Sequence, residues 1–585
     1  MPEYLAPGVY VEETSFRAKS IEGVGTSTTA FVGPTRKGPF RATTDAQEVP
    51  EMLTSFGDFE RIYGGISDLA LTGNPPDTNF LAHAVRAFFN EGGSRLYVSR
   101  VVGTGAATAS GAITPAGTAA AEAAAFVARF PGSIGNGVVV VREVLAPVAA
   151  TAMANAPTGT LLVTGAGGTT AFHLKVGNDW HPATDPAAAA EVAATLAADT
   201  PRIVSLLVVA IDADGEDLSF DGLGFDRSHP AWVGHVMSAT PARRADHLQN
   251  MFAITIGGNV SALELHTALF TGATTNAAGQ LERSIALAGG VDGAAPVAAN
   301  YSLALGELSG LEDISIVAAP GSSAYAETQA INNLLIAHAE SRRAYRIAVL
   351  DLPRDQTPGQ ARTLRGLIDS RYAAVYYPWV VVPNPLARPG REDIPRELAL
   401  PPSGFVSGIY ARNDVERGVW KAPANEVVRG ALRFEIDVNF AQQEMLNPLG
   451  VNCLRYLSGR GFRVWGARLA SSDPEWKYVN VRRYFNYLES SIDRGTQWAV
   501  FEPNGERLWA NVRQTISDFL YNEWRNGALL GSKTEEAYFV RCDRSTMTQN
   551  DLDNGRLVCL IGVAVIKPAE FVIFRIGQKT ADARA

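Results

Sequence analysis

Few side chains in this sequence have the types and spacing that chemistry needs. All eight histidines lie at or before His338, and no serine occupies the G-x-S-x-G turn that presents a hydrolase nucleophile. Gly25-Thr26-Ser27 is too short a match for a nucleophile, so a polar loop is favoured there. His229 and His235, in HPAWVGH, have no further ligand types nearby, which favours packed or surface histidines over a metal site. We therefore expect no catalytic residue and no enzyme.

Two further stretches have some of the features of ligand-binding loops. LAGGVDG (287–293) lacks the GK[ST] of a phosphate loop and the full G-x-G-x-x-G, so a tight turn is favoured over a nucleotide site. Asp212, Asp214, Glu216 and Asp217 resemble part of a calcium loop, but the glycine comes early and no glutamate occupies the twelfth position. A solvated acidic loop is favoured. We expect neither a cofactor nor a bound metal.

The composition is that of a folded protein with several domains. The chain has 585 residues, 46% hydrophobic residues and a mean hydropathy of +0.01, which predicts three or four globular domains. A net charge of −9 without a Lys/Arg block argues against direct nucleic-acid binding. No apolar run reaches the length of a membrane span and the opening MPEYLAPGVYVEE has no signal features, so we expect folding in the cytoplasm. Cys453, Cys542 and Cys559 lack a metal-ligand spacing and are expected to be buried, reduced thiols.

Strands and helices alternate in two separated parts of the chain. Residues 26–102 contain TTAFVG, a helix near 80–90, and SRLYVSRVV. Residues 291–395 add strands at 314–318, 345–350 and 373–382 around a helix near 327–342. Together they predict one α/β middle domain. Between them, residues 103–290 are rich in Ala, Gly and Thr and predict an inserted, surface-exposed, variable domain.

Residues 396–568 are predicted to form an α+β C-terminal assembly domain. Seven of the nine tryptophans fall between Trp379 and Trp524, which indicates a region of dense contacts. Residues 401–431 interleave Gly and Pro with charges, which predicts a shaped loop with paired charges. The charges of this stretch include Arg412, Asp414 and Arg417.

A helix is predicted from Glu506 to Asn526, with Asn504 as its N-terminal cap and Gly527 at its end. One face is expected to be buried, because apolar residues recur at the helical period: Leu508, Trp509, Val512, Ile516, Phe519, Leu520 and Trp524. The other face carries charges that face either water or a charged partner: Arg507, Arg513, Asp518 and Arg525. A face that simply contacts solvent explains these charges equally well.

Two strands are predicted after this helix, at 537–541 and 556–566, the second inside a sheet because it is apolar on both faces. The last apolar run, EFVIFRI, has little chain after it to cover an exposed edge, so it must pair within its domain or with another subunit. The N-terminal arm (1–25) also needs a surface to lie on. The candidate interface strands are Val9, Tyr10, Val11 and Glu12, and Glu570, Phe571, Val572, Ile573, Phe574, Arg575 and Ile576.

Long motifs, ordered from the first residues to the last, carry a resemblance to one family. The chain resembles the single-chain tail sheath proteins of contractile phage tails, R-type bacteriocins and extracellular contractile injection systems. The insertion matches least. The motifs are APGVYVEE…GVGTSTTAFVGPTRKGP, FPGSIGN, LAGGVDG, PPSGFVSGIYARNDVERGVWKAPAN, LNPLGVNCLRYLSGRGFRVWGARLASSDPEWKYVNVRR, AVFEPNGERLW and PAEFVIFRI.

This resemblance implies a structural protein that stacks as hexameric rings into a helical sheath around a rigid inner tube. It implies contraction that drives the tube through a target cell envelope, and a middle domain with a subtilisin-like fold and no catalysis. The implied partners are other copies of the chain, the inner tube protein, and baseplate and tail terminator proteins. The candidate tube-facing or inter-subunit charges are accordingly Arg507, Arg513, Asp518, Arg525, Arg412, Asp414 and Arg417. Assembly is expected in the bacterial cytoplasm, and the product is a virion tail or a released extracellular particle. The alternatives are a non-sheath structural tail component and an oligomeric hydrolase with an α/β catalytic domain.

The resemblance also implies arms that add strands to the C-terminal domains of neighbouring subunits. We accordingly predict donated strands at Val9–Glu12 and Glu570–Ile576, the latter within a donated tail of residues 569–585. The flexible joints are predicted at residues 7–20 and at Lys567-Pro568.

Overall fold

The structure, a computed structural model, describes residues 20–45, 48–72, 77–165 and 170–576. The predicted donor strand Val9–Glu12 and the joint at residues 7–19 lie outside these ranges. The described residues form an α/β domain, an inserted domain and a C-terminal domain, each with its own hydrophobic core. The mixed α/β, multidomain class that the sequence predicts is confirmed.

A nine-stranded sheet organises the α/β domain, and its six central strands are parallel. These are short apolar runs buried on both faces, as parallel strands between two helix layers must be. In spatial order the strands are Met52–Leu53, Leu96–Arg100, Thr29–Gly33, Ile316–Ala318, Ile347–Asp351, Ala373–Tyr377, Val451–Leu457, Gly461–Val464 and Glu426–Val427.

Helices cover both faces of this sheet. Because side chains alternate along a strand, Phe31 and Val349 point into one core while Val32 and Leu350 point into the other. The helices of the domain are Phe56–Tyr63, Phe80–Glu91, Ala298–Leu308, Thr328–Glu340, Pro358–Arg365, Pro402–Arg417 and Phe440–Leu446.

The stretch predicted as a shaped loop at 401–431 instead begins with the buried helix Pro402–Arg417. Its glycines let it approach the helix Phe80–Glu91 closely, since a Cβ on Gly404 would lie 2.7 Å from the Cβ of Ala84. Gly residues that favour loops in a sequence here serve helix packing. The carboxylate of Asp351 accepts from the backbone N–H of Ser403 (2.7 Å) at the start of the helix, and burial raises the pKa of Asp351 to about 7.

The domain boundary predicted at 395/396 is wrong. The strand Val451–Leu457 pairs in parallel with Ala373–Tyr377, so the α/β sheet continues well beyond residue 396. The strand predicted at 373–382 is in fact two strands, Ala373–Tyr377 and Val380–Pro383, separated by Pro378 and Trp379. The second strand, Val380–Pro383, lies between Glu397–Leu400 and Arg433–Phe434 in a small three-stranded sheet.

The inserted domain is built from antiparallel sheets around a core of its own. The larger sheet contains Thr274–Thr275, Leu281–Ala286, Val138–Pro147, Arg202–Ile211, Leu161–Thr164, Ala171–Val176, Asp179–Pro182 and Asp217–Leu223. The smaller sheet contains Phe252–Ile256, Ala124–Ala128 and Ser110–Ala112. The helices are Ala150–Asn155, Ala193–Ala198, Val233–Val236, Arg244–Gln249 and Ala262–Phe270.

Two sequence motifs meet where the insertion joins the α/β domain. Asn136 of FPGSIGN and Gly290 of LAGGVDG exchange two hydrogen bonds of 2.8 Å. The carboxylate of Asp292 accepts from the backbone N–H groups of Ser133 (2.5 Å) and Ala70 (2.7 Å), so it binds both domains at once.

The acidic stretch 212–217 lies at the same junction and is not simply solvated. Its Asp214 pairs with Arg36 (2.6 Å), and Asp212 lies 4.0 Å from the Nζ of Lys37. In the described part of the chain, no group of three or more His, Cys, Asp or Glu side chains is placed to hold a metal ion.

The C-terminal domain consists of helices and one two-stranded antiparallel sheet. The helices are Val479–Gly495, Glu506–Arg525, Thr534–Ala537 and Gln549–Asp553, and the strands are Tyr538–Arg541 and Leu560–Val563, which we call the C-terminal hairpin. Among the described helices, none has the length and apolarity that crossing a membrane requires.

Candidate assembly interface

The end of the described chain divides into an anchored root and an exposed arm. At the root, the carboxylate of Glu570 accepts from Arg468 through both oxygens (2.7 Å each), from Asn447 (2.7 Å) and from the hydroxyl of Tyr478 (3.0 Å). Lys477 adds a positive charge at 3.7 Å. We call this group the Glu570 clamp. Burial alone would raise the pKa of Glu570, but the hydrogen bonds from Arg468 and Asn447 outweigh it and hold the pKa below its ordinary value.

The clamp is built on rigid elements from two domains. Asn447 follows the helix Phe440–Leu446 of the α/β domain, and Tyr478 directly precedes the helix Val479–Gly495 of the C-terminal domain. Arg468 is oriented by its own backbone N–H, which donates to Asn452 (2.6 Å), and by its guanidinium, which donates to the carbonyl of Asn447 (3.1 Å). A forked guanidinium fixed in this way binds a carboxylate with defined direction.

The predicted joint at Lys567-Pro568 lies between two fixed points. The carbonyl of Ile566 accepts from the side chain of Asn480 (3.1 Å), and Glu570 is held by the clamp. The first unanchored link is therefore the one after Glu570. Glu570 itself, predicted as a donated residue, is bound within its own chain.

Beyond the clamp, the arm (residues 571–576) is exposed and forms no strand. The side chains of Phe571, Val572, Ile573, Phe574 and Ile576 are 68–96% exposed. Burying a side chain of this size contributes about 1.5–3 kcal/mol, so covering all five is worth on the order of 10 kcal/mol. Such a run is an unprotected apolar surface unless something covers it.

The C-terminal hairpin has open edges. Tyr538–Arg541 and Leu560–Val563 pair only with each other among the described strands, and Phe539, Leu560 and Ile561 are exposed. The prediction that 556–566 is one long strand inside a sheet is wrong, because only Leu560–Val563 form a strand, Val565 adds an isolated bridge to Leu529, and both faces remain partly exposed. A two-stranded sheet is marginal alone and gains stability from further strands.

The helix Glu506–Arg525 has the predicted buried stripe, with Trp524 half-buried. It begins after Gly505, not after Asn504, whose side chain instead accepts from the indole N–H of Trp509 (2.7 Å). The opposite face is exposed and carries the predicted charges Arg507, Arg513, Asp518 and Arg525. Within the described residues, the three arginines of this set form no ion pair.

The charges predicted near residue 412 behave differently from one another. Arg412 is buried and pairs with Glu91 (2.6 Å), and Asp414 pairs with Arg483 (2.6 Å). Both pairs lie inside one chain, so these two residues are not surface charges. Arg417 is exposed.

Two family models match the part of the chain that holds these features. Residues 255–468 match the phage tail sheath protein central domain, and residues 471–579 match the phage tail sheath C-terminal domain. Together the matches cover more than half of the chain. The chain belongs to the phage tail sheath family. The two matches divide between residues 468 and 471, which places Arg468 at the end of one sheath domain and Glu570 in the other.

Curated sheath proteins match over shorter regions. A prophage major tail sheath protein of Pseudomonas aeruginosa is 26% identical over 267 residues, 45% of this chain and 64% of that protein. The tail sheath protein of Enterobacteria phage T4 is 26% identical over 177 residues, 30% of this chain and 26% of its own length. The aligned regions thus span less than two thirds of these relatives.

Solved sheath structures share the fold of this sheath protein over nearly its whole length. The helical sheath of the anti-feeding prophage in the contracted state has a TM-score of 0.52 and 22% identity, covering 98% of this chain and 100% of that one. The contracted PVC sheath of an extracellular contractile injection system has a TM-score of 0.51 and 20% identity, covering 99% of each chain.

Sequence patterns in this sheath protein do not identify the three residues that bind Glu570 in the clamp. Asn447, Arg468 and Tyr478 come from different turns and are separated from Glu570 by about a hundred residues. No spacing rule connects them. The only available signal was the glutamate at the start of the run EFVIFRI.

Proposed function

We propose that this protein is a structural sheath subunit that polymerises as stacked hexameric rings around a rigid inner tube and contracts to drive the tube through a cell envelope. The observation that carries the proposal is that one chain has both an exposed apolar arm and a hairpin with open edges. Family membership supports the same role. The proposed partners are further copies of the chain, the tube protein, and baseplate and terminator proteins. The proposed product is a virion tail or a released particle assembled in the cytoplasm.

The arm suits donation as a strand. Six residues extend over about 20 Å, longer than the four-residue strands of the C-terminal hairpin. Because side chains alternate, Val572, Phe574 and Ile576 would share one fully apolar face, which we assign to the core of the neighbouring C-terminal domain. Arg575 would lie on the other face.

The clamp gives this donation a fixed starting point. Each arm would leave its subunit directly after Glu570, in a direction set by Arg468 and Tyr478. Rigid domains can then rotate about the link between Glu570 and Phe571 while the donated strand keeps its neighbour. The Val9–Glu12 strand is proposed as the second donor. The six parallel strands between helix layers support a subtilisin-like middle domain.

Two truncations test the donated arm. Removing residues 571–585 deletes the arm but keeps the Glu570 clamp, and we expect folded subunits that form no sleeves in negative-stain micrographs. Removing only residues 577–585, which include no large apolar side chain, is the matched control, and we expect sleeves to form. Sleeves of normal length from the first variant would overturn the arm assignment.

A further inference from the structure

The strand register of the C-terminal hairpin places two cysteines opposite each other. Arg541 faces Leu560 at the end of the antiparallel ladder, and Cys542 directly follows Arg541 while Cys559 directly precedes Leu560. The bond from the backbone N–H of Ala564 to the carbonyl of Ala537 (2.8 Å) marks the pair 537/564 as hydrogen-bonded. Hydrogen-bonded and non-hydrogen-bonded pairs alternate, so extending the register by one step makes 542/559 a non-hydrogen-bonded position.

This position satisfies the geometry of a disulfide. Opposed residues of a non-hydrogen-bonded pair have Cα atoms about 4.5 Å apart, within the range of about 4.4–6.8 Å that a disulfide spans. Each thiol affects the pKa of the other, which agrees with their adjacency in the register, and both cysteines are free thiols in the structure. A sequence separation of 17 residues gives no hint of this contact.

We propose that Cys542 and Cys559 are a redox-active dithiol that closes to a cross-strand disulfide when the protein meets a low-molecular-weight disulfide outside the reducing cytoplasm. The expectation that all three cysteines stay reduced then holds only for Cys453. Cys453 is fully buried and lies in the sheet of the α/β domain.

The reaction is thiol–disulfide exchange in two steps. Cys559 is half-buried while Cys542 is 1% exposed, so the Cys559 thiolate attacks the small disulfide first, forms a mixed disulfide and releases one small thiol. The Cys542 thiolate then attacks the Cys559 sulfur and releases the second small thiol. The two protein thiols lose two electrons and two protons, and the small disulfide gains them.

The surroundings set the rate of this exchange. Burial raises the pKa of Cys559 to about 12, although the positive charge of Arg513 acts in the opposite direction on both thiols. Only the thiolate attacks, so we expect the rate to rise about tenfold per pH unit between pH 7 and 9.

The bond would close the loop 543–558 at its base and hold the two strands of the C-terminal hairpin together. Disulfide formation itself does not depend on the proposed sheath role. The further claim that the disulfide strengthens the hairpin as the surface that receives a neighbour's arm does rest on the proposed sheath role. In the proposed life cycle, the hairpin would be reduced during cytoplasmic assembly and locked after release.

The test uses the purified full-length chain, incubated with oxidised glutathione, alkylated in denaturant and digested for mass spectrometry. We expect the free thiols to fall from three to one per chain, with a Cys542–Cys559 linked peptide and with Cys453 alkylated. In Cys542→Ser, which removes the resolving thiol, we expect glutathione to stay on Cys559. A stable glutathione adduct on Cys559 of the unmutated chain, or three alkylated cysteines at saturating oxidant, would overturn the proposal.

Hydrogen exchange gives an independent readout. Amides of Tyr538–Arg541 and Leu560–Val563 should exchange at least tenfold more slowly in the oxidised chain, and oxidant should change nothing in the Cys542→Ser/Cys559→Ser variant. Equal exchange in oxidised and reduced chains would refute the locking of the hairpin. Neither readout needs sleeves, so failure here and failure of the sheath proposal are distinguishable.

Discussion

Replacing Glu570 with glutamine separates the anchoring of the arm from the stability of the fold. Glutamine keeps the shape of the side chain and one acceptor oxygen but removes the charge. The guanidinium of Arg468, only 9% exposed, then loses its counter-charge and one of its two carboxylate contacts. The chain before Glu570 is still held by the hydrogen bond from Asn480 to the carbonyl of Ile566. The loss of binding free energy should therefore be confined to the root of the arm.

The magnitude follows from the contacts. A hydrogen bond to a charged group contributes about 1.5–3 kcal/mol net. The Glu570 side chain is 20% exposed, so water replaces part of the lost interaction. We therefore expect a loss of about 2–3 kcal/mol, which is a 30- to 150-fold increase in the population with a released root.

The rate of chymotrypsin cleavage after Phe571 measures the population with a released root. Cleavage after Phe571 requires the residues around it to leave the clamp, whereas cleavage after Phe574 takes place within the exposed arm. In Glu570→Gln we expect cleavage after Phe571 to accelerate 30- to 150-fold and cleavage after Phe574 to change little. The denaturant midpoint of the domains should not shift.

Glu397→Gln is the matched control, because Glu397 pairs with Arg433 at 2.8 Å on an exposed surface. A surface pair contributes at most about 1 kcal/mol, so this variant should be cleaved like the unmutated chain. If Glu570→Gln is cleaved after Phe571 no faster than the control, the clamp does not hold the root. Equal acceleration at Phe574 would show that the whole arm was ordered by another contact.

Three further outcomes are expected. Asp351 has a pKa raised from 3.8 to about 7, so its contribution to folding stability is complete below pH 4 and is lost as the pH rises through 7. Asp351→Asn should abolish this loss of stability, which is up to about 4 kcal/mol in denaturant titrations. An unchanged dependence of stability on pH in the variant would contradict this prediction. Asp292→Ala leaves two backbone donors unpaired at the insertion junction and should destabilise by about 2–4 kcal/mol, whereas Asp292→Asn should cost less; equal stabilities would contradict the junction role. Charge reversal of Arg507 and Arg513 should leave stability unchanged and reduce co-assembly with the tube, and unchanged co-assembly would show a face that contacts only solvent.

The periodic parts of the fold were predictable from the sequence. The helix Glu506–Arg525 has seven apolar residues at the helical period, and the parallel strands are short apolar runs. Apolar periodicity predicts which faces of a helix or strand are buried. It is informative here because the helix buries one face along its length and the parallel strands bury both.

The errors have physical causes. Gly404 and Gly408 favour a loop in isolation, yet packing against Phe80–Glu91 selects a helix with no room for a Cβ. The residues 556–566 are apolar enough for a buried strand, but the described part of the chain supplies only one partner strand, Tyr538–Arg541. That mismatch between sequence and single-chain structure is expected of a surface that other subunits complete.

The candidate site was predictable only in part. The arm was predicted as an interface strand because a run of large apolar residues needs a surface to cover it. The clamp was not, since Asn447, Arg468 and Tyr478 are brought to Glu570 by the packing of two domains. The opposition of Cys542 and Cys559 likewise follows from a strand register that no spacing rule gives.

The most direct test of the account is a cryo-electron microscopy map of sleeves assembled from the full-length chain. The account predicts Glu570 bound to Arg468 of its own subunit, and residues 571–576 forming a strand on the C-terminal hairpin of a neighbouring subunit. A map in which residues 571–576 fold back onto their own subunit, or a chain that stays monomeric at high concentration, would contradict it.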